Sequence, residues 1–310
     1  MNMALAKGTW AQYKTVENHI MRCSIFYNTD MSFPFNVEKT LKFVGYLMKE
    51  RGCSGKTIDC YISAVRMAHL TRGFDCPHLR QPIIKIILKG QMHQDSLRQK
   101  LERKSTRLPV TIPVMRYIKH KLISTNWSFE KCLLVWAVAA TLWNGAMRVH
   151  EALAREVMSF DQTTTLLLED IDFVKVTIDG KQTDMLKLKL KCPKESSIGH
   201  GIVIEIFKND SFLCAHKAIK NYQKYTKVKL EAEKPFFRKE DGSNYTGREF
   251  NKDLASITNA ITEGTEGTFQ SHSFRSGVAT EMGMAGYSDQ EIREALFYFK
   301  CISLIWTFGF

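Results

Sequence analysis

The 310-residue sequence has no apolar run long enough to cross a bilayer. Its longest, Leu133 to Trp143, is interrupted by Thr141 and falls well short of the ~20 residues a spanning helix needs. No leader is evident: MNMALAKGTWAQYK holds no apolar core followed by a small-residue cleavage site, which argues against secretion. None of the eight cysteines (Cys23, Cys53, Cys60, Cys76, Cys132, Cys192, Cys214, Cys301) belongs to a C-x-x-C pair. Cys76 and His78, the closest Cys/His pair, have no second pair at zinc-finger spacing, and structural zinc needs four ligands. No metal is therefore expected, and scattered thiols in a chain of this length fit a reducing compartment. The nine histidines do not cluster, and there is no internal repeat. Acid is the minority sign, with 32 Asp and Glu against 44 Lys and Arg and a formal net charge of +12. The expectation is a soluble intracellular protein whose partner is a polyanion, either nucleic acid or anionic membrane.

What is present points to a folded chain. Hydrophobic residues at 44% and charged residues at 25% lie near globular averages, which excludes extensive disorder. The length suggests two domains. Basic residues concentrate between Lys89 and Lys121, where nine (Lys89, Arg98, Lys100, Arg103, Lys104, Arg107, Arg116, Lys119, Lys121) stand against Asp95 and Glu102. Such a run reads equally as a solvated linker or as a polyanion-binding segment.

The first third reads as helices. Thr9 is placed to cap one carrying Trp10, Tyr13, Val16 and Ile20 at spacings of three and four. Asn36 opens a second, with Val37, Leu41, Val44 and Leu47 on one face and Gly52 as its stop. A third runs from about Thr57 to Gly73, and a fourth follows Pro82, a residue suited to a first helical turn. From Gln91 to Arg107 apolar periodicity lapses, which predicts a linker. Beyond it, Thr111 to Leu122 reads as a helix and Ser128 to Trp143 as a buried one. A short helix carries Arg148, Glu151 and Leu153. Ile171–Ile178 and Met185–Lys191 flank Asp179-Gly180, a hairpin signal, and Leu186, Leu188 and Leu190 alternate with lysines in the half-buried strand pattern. Ile202 to Ile206 reads as a third strand. Helices resume at Ser211–Lys224 and behind the capping boxes Thr246…Glu249 and Ser288…Glu291, with another from Ser273 to Ala285 closed by Gly286. The fold class is mainly α with a small antiparallel β-sheet.

Four segments carry chemistry-bearing residues in order: Gly145-Ala-Met-Arg148-Val-His-Glu151-Ala-Leu153, then Cys192-Pro-Lys194, then His272-Ser-Phe-Arg275, then Gly286 with the Glu291 helix. Singly, each has an ordinary structural meaning. Arg148 and Glu151 are spaced for a helix-surface ion pair, His272 and Arg275 sit one turn apart, and Lys194 is one strand-edge lysine among many.

Together they resemble the tyrosine recombinase (phage integrase-like) family over about residues 9 to 296, and GAMRVHEAL and TIDCYISAVRMAHL resemble its eukaryotic transposon-borne members. The resemblance implies an all-α, SAM-like core-binding domain at 1–105, including the basic linker. An α+β recombinase catalytic domain would follow at 106–310. It implies Arg148 and Arg275 as the arginine pair, Lys194 as the hairpin lysine, His272 as the histidine, and Glu151 as the acid orienting Arg148. Lys56, Arg66, Lys100, Arg103, Lys104 and Arg107 would contact double-stranded DNA. No cofactor or membrane is implied. The implied activity is DNA integration and recombination, breaking and rejoining strands through a phosphotyrosyl intermediate, in family assemblies that are homotetramers on DNA. The location would be the nucleus in a eukaryote and the cytoplasm otherwise. In the rival readings, the chain is a non-catalytic DNA-binding module derived from a mobile-element recombinase, or an RNA binder acting through its basic segment.

The end of the chain departs from the family pattern. The family spacing puts a His or Trp near Tyr298 and the nucleophilic Tyr near Thr307, whereas Ala295–Phe310 reads ALFYFKCISLIWTFGF. Three explanations stay open: sequence foreign to the domain after about residue 296, a displaced nucleophile at Tyr298, or Tyr298 as a core aromatic of a last helix. On the first, the chain has a phosphate pocket but no attacking group, and it assembles weakly.

Overall fold

The computed structural model describes residues 7–101, 106–178, 180–191, 201–265 and 267–298. The chain divides into two compact units, Met1–Lys104 and Ser105–Phe310. Lys194, Arg103, Lys104, Asp179 and everything after Tyr298 lie outside the described residues, as do the side chains of Trp10, Lys100 and Tyr298.

The first unit holds α1 (Lys7–Tyr27), α2 (Val37–Lys49), α3 (Gly55–Thr71) and α4 (Pro82–Leu101). Capping chemistry sets two of the starts. Asn36 accepts a hydrogen bond from the Lys39 amide at 2.8 Å, and Ser54 accepts one from the Thr57 amide at 3.3 Å. The predicted start at Thr9 is corrected: α1 begins at Lys7, and Thr9 lies inside it. Phe43, Leu47, Ile58, Val65 and Ile84 form the core of this unit. The predicted linker from Gln91 is corrected: α4 continues through Leu101. Asp95 explains much of this, because its carboxylate accepts from the Gly55 amide at 2.6 Å and from the Gln91 side chain at 3.0 Å. A carboxylate at the first turn of α3 also meets the positive end of that helix. The Lys, Gln, Arg and Leu residues of the second half of α4 are good helix formers, so a lapse in apolar periodicity there marked solvent exposure rather than loss of helix.

The second unit holds α5 (Ile112–Ile123), α6 (Phe129–Asn144), α7 (Val149–Ala152), α8 (Ala215–Tyr225), α9 (Gly247–Thr262), α10 (His272–Met284) and α11 (Asp289–Tyr298). Helix α6 is buried on nearly all sides, as its composition predicts, and helices α8, α9 and α10 contribute Ile219, Phe250, Phe274 and Val278 to the same core. Helix α8 begins four residues later than expected, because Ser211–Cys214 form a turn. The antiparallel sheet comprises β2 (Ile171–Ile178), β3 (Lys181–Leu190) and β4 (Ile202–Phe207) in the order β2-β3-β4. Pairing of Ile178 with Lys181 makes the hairpin tighter than expected, with Gly180 at φ +77° inside the turn. Leu186, Leu188 and Leu190 face the core, while Lys187 and Lys189 pair with Glu205 and Asp172 outside.

A short parallel pair, β1 (Thr106–Arg107) with β5 (Gly267–Thr268), completes the unit. It opens a backbone seam. Leu108 donates to the Thr268 carbonyl at 3.0 Å and Val110 to the Ser273 carbonyl at 2.8 Å. The Val110 carbonyl accepts from the Trp143 indole at 3.0 Å, and Glu281 of α10 accepts from the Ile112 amide at 2.6 Å. Helix α10 comes so close to this segment that a Cβ on Gly277 would lie 1.9 Å from the Val110 oxygen.

Two glycine substitutions should therefore act in opposite directions. Gly277→Ala forces backbone apart and should destabilise the second unit by about 3 kcal/mol or more. Gly90→Ala, in α4 with nothing within 4 Å of its Cβ position, should stabilise the first unit by about 0.5–1 kcal/mol. Urea unfolding followed by circular dichroism measures both, and equal effects at the two positions would contradict the seam.

Candidate functional site

The chain reaches Arg148 through a strained turn. Gly145 caps α6, and Ala146 then adopts φ +44°, the left-handed region that a side chain disfavours. The turn is held from outside, because Arg275 donates through Nη1 to the Ala146 carbonyl at 2.9 Å. Strain that persists because its surroundings hold it is a common mark of a functional position.

Arg148 precedes α7, and Glu151 lies one turn on. The Glu151 carboxylate accepts the Arg148 backbone amide at 2.7 Å and its Nη1 at 3.2 Å. Glu151 is nearly buried and the Arg148 side chain is about a quarter exposed, so the pair fixes the guanidinium while leaving part of it open to solvent. The cleft beside Glu151 is lined also by Thr165, Lys189 and Lys191, so β3 ends next to α7. Lys191 is held there by Glu169 at 3.2 Å and Asp170 at 3.0 Å. Burial works against its charge, but those two carboxylates outweigh it and keep the ammonium above the ordinary lysine range. The chain leaves from this point toward Lys194, which lies outside the described residues.

Helix α10 brings the second pair. His272 is its first residue and is exposed, and Arg275 is half-buried one turn later. Besides Ala146, Arg275 donates through Nη2 to the Leu296 carbonyl of α11 at 2.6 Å, so one guanidinium ties α10 to the turn before Arg148 and to the last helix. His272 is less readily protonated than an ordinary histidine. Partial burial is the main cause, followed by the positive charges of Arg107, Arg148 and Arg275. Groups 127 residues apart in the chain thus share one electrostatic environment.

Arg148, Glu151, His272, Arg275 and Arg107 are brought together. Arg107 is the unexpected member, since the basic linker was its predicted place. Strand β1 pairs it with Thr268, four residues before His272. A two-residue strand leaves no period in the sequence, and the only available signal was the run of positive charge. Of the other predicted DNA contacts, Lys56 is exposed in the first turn of α3 and Arg66 is half-buried on the same helix. Lys100, Arg103 and Lys104 cannot be placed with these groups, because their side chains lie outside the described residues. Tyr298 is the last residue of α11.

No protein-family model matches the sequence, and no curated protein matches it. Solved structures do match. The Tn1549 transposon integrase in complex with transposon right end DNA superposes with a TM-score of 0.58 at 15% identity, over 99% of this chain and 91% of the integrase. The XerH site-specific recombinase bound to palindromic difH substrate gives 0.55 at 15% identity, over 92% and 72%. The lambda integrase dimer bound to a COC′ core site gives 0.54 at 14% identity, over 96% and 86%. At such identities the likeness concerns fold: this chain has the mainly helical tyrosine recombinase fold with its small antiparallel sheet.

The charge cluster predicts the titration of His272. Its pKa should lie below the ordinary value of about 6.5, and Arg148→Ala should move it up toward that value. The folded pKa is the depressed one. The stability linked to this group is therefore intact above the ordinary histidine value and is lost as pH falls through the folded pKa. A pH titration of the His272 imidazole resonance by NMR tests this, and a pKa above 6.5 or no response to Arg148→Ala would contradict the shared environment.

Proposed function

We propose that this chain is a DNA-binding protein of the tyrosine recombinase family, related to those of mobile elements, that grips a phosphodiester of double-stranded DNA between Arg148 and Arg275. The observation that carries this is the convergence of Arg148, Glu151, His272 and Arg275 within a fold whose solved neighbours include integrases and recombinases bound to DNA.

The residue types suit the chemistry. Attack on a phosphodiester places additional negative charge on the non-bridging oxygens. Guanidiniums remain charged at every working pH and bind such oxygens with paired hydrogen bonds. Donors fixed in advance stabilise that charge without reorganising, and losing one typically costs ~10²–10³ in rate. His272, held neutral by its surroundings, is suited to accept a proton from an attacking hydroxyl and return it later. Lys194 would protonate the departing 5′ oxygen. A covalent protein–DNA bond would conserve the energy of the broken one and divide the exchange into two steps.

The attacking group is the element this reading lacks. Beyond Arg275 the sequence has two tyrosines, Tyr287 and Tyr298. Tyr287 packs against the core in the turn between α10 and α11, and Tyr298 stands well before the spacing of the family nucleophile. A threonine at position 307 is a poor substitute, because its aliphatic hydroxyl is far more basic than a phenol of pKa ≈ 10. The 310-residue chain is therefore proposed to bind DNA and hold a phosphodiester without forming a phosphotyrosyl bond.

Two measurements test the proposal. Binding to a labelled duplex, followed by fluorescence anisotropy, should weaken ~10³–10⁵-fold between 50 and 200 mM salt if six to ten phosphates are contacted. Affinity that barely responds to salt would refute DNA binding through phosphates. Incubation with nicked suicide duplexes and separation on denaturing gels should give no covalent band. A band that disappears in Tyr298→Phe would make Tyr298 the nucleophile and the chain an active recombinase.

A further inference from the structure

Arg107 differs from the other cations of the site in what holds it. Arg148 is engaged by Glu151, and Arg275 by the carbonyls of Ala146 and Leu296. The Arg107 side chain is exposed and makes no hydrogen bond or ion pair with the described residues. Its backbone, in contrast, is closely fixed. Arg107 pairs in register with Thr268, and the flanking bonds from Leu108 to Thr268 and from Val110 to Ser273 hold the strand beside the start of α10. Leu108 fills the space at Gly267, whose Cβ position would lie 2.3 Å from Leu108 Cγ. Successive side chains on an extended strand point to opposite sides, so Arg107 is directed away from that packed face.

We infer that Arg107 is a third guanidinium of the phosphate site, contacting the phosphate that Arg148 and Arg275 bind rather than following the DNA backbone as part of a linker. The inference rests on the proposed function and specifies its site. Its geometric basis is the β1–β5 register beside His272 and a guanidinium that no described residue engages, carried on a fixed backbone. The charge of Arg107 also acts on His272 ahead of those of Arg148 and Arg275, after burial. Chemically, Arg107 supplies what the other two lack. Each of those has spent guanidinium N–H groups on protein acceptors, whereas the five donors of Arg107 meet no acceptor among the described residues. A phosphate offers more acceptor positions than one partly engaged guanidinium can satisfy. A third, exposed arginine beside the pair can close that deficit. Arg107 is the third residue of the second unit, so this cation belongs to the unit that carries the other site residues.

The test uses the full chain and inorganic phosphate as the probe, read from the His272 imidazole resonance during titration at constant ionic strength. Arg107→Ala should weaken phosphate binding about tenfold, the usual scale for a charge-assisted hydrogen bond to a solvent-facing anion. Arg107→Lys should recover part of that loss, because the charge returns without the paired geometry. In the absence of phosphate, Arg107→Ala should raise the His272 pKa and Arg107→Lys should not. Unchanged phosphate affinity in Arg107→Ala, with affinity lost in Arg148→Ala and Arg275→Ala, would overturn this inference and leave the proposed function standing. Unchanged affinity in all three variants, or no saturable response in the unmodified chain, would overturn the phosphate pocket itself and this inference with it.

Discussion

The site depends on one backbone contact, the approach of α10 to the extended segment around Val110. The Val110 amide donates to α10, its carbonyl accepts from Trp143 of α6, and its oxygen occupies the space that any side chain at position 277 would need. These constraints join three elements that are distant in sequence. Through them, the start of α10 with His272, the end of α6 leading into Arg148, and the strand carrying Arg107 come together at one place. A glycine is required by the distance alone, since no rotamer choice can relieve a contact with backbone.

A second constraint is electrostatic. Three guanidiniums that share an environment repel each other, and the protein offsets this only in part. Glu151 balances Arg148, and Arg275 donates to the backbone carbonyls of Ala146 and Leu296. Arg107 has no partner among the described residues. Clustered like charge lowers folding stability unless something of opposite sign binds it. The strained turn at Ala146 has the same character, because its left-handed backbone is held by a bond from the neighbouring helix. Both features cost stability.

The parts of this arrangement that were legible in the sequence are those with a local cause. Asn36, Ser128 and Thr246 bond to the third backbone amide of the helices they precede, so their helix starts could be read from a few adjacent residues. The alternation of Leu186, Leu188 and Leu190 marked β3, and the family resemblance singled out Arg148, Glu151, His272 and Arg275, which share one charge environment. What escaped has tertiary causes. Helix α4 extends past Gln91 partly because Asp95 serves Gly55, 40 residues earlier. Strands β1 and β5 are two residues each and exist through their pairing, so Arg107 carried no sign of its place beside His272.

If the cluster binds phosphate as proposed, it couples proton and anion. In the free protein, burial and then Arg107, Arg148 and Arg275 disfavour the charged form of His272. A bound phosphate reverses the local sign, because its negative charge screens the guanidiniums and attracts a proton on the imidazole. His272 must then be easier to protonate with phosphate bound than without it. By linkage, phosphate must bind more tightly as pH falls through the interval between those two pKa values, with proton uptake on binding. In the proposed function, such a histidine would become easier to protonate as negative charge develops beside it, which would suit removal of a proton from an attacking hydroxyl. This behaviour would rest on a partly buried imidazole among fixed positive charges, and the seam at Val110 is what holds Arg107 and α10 close enough to supply them.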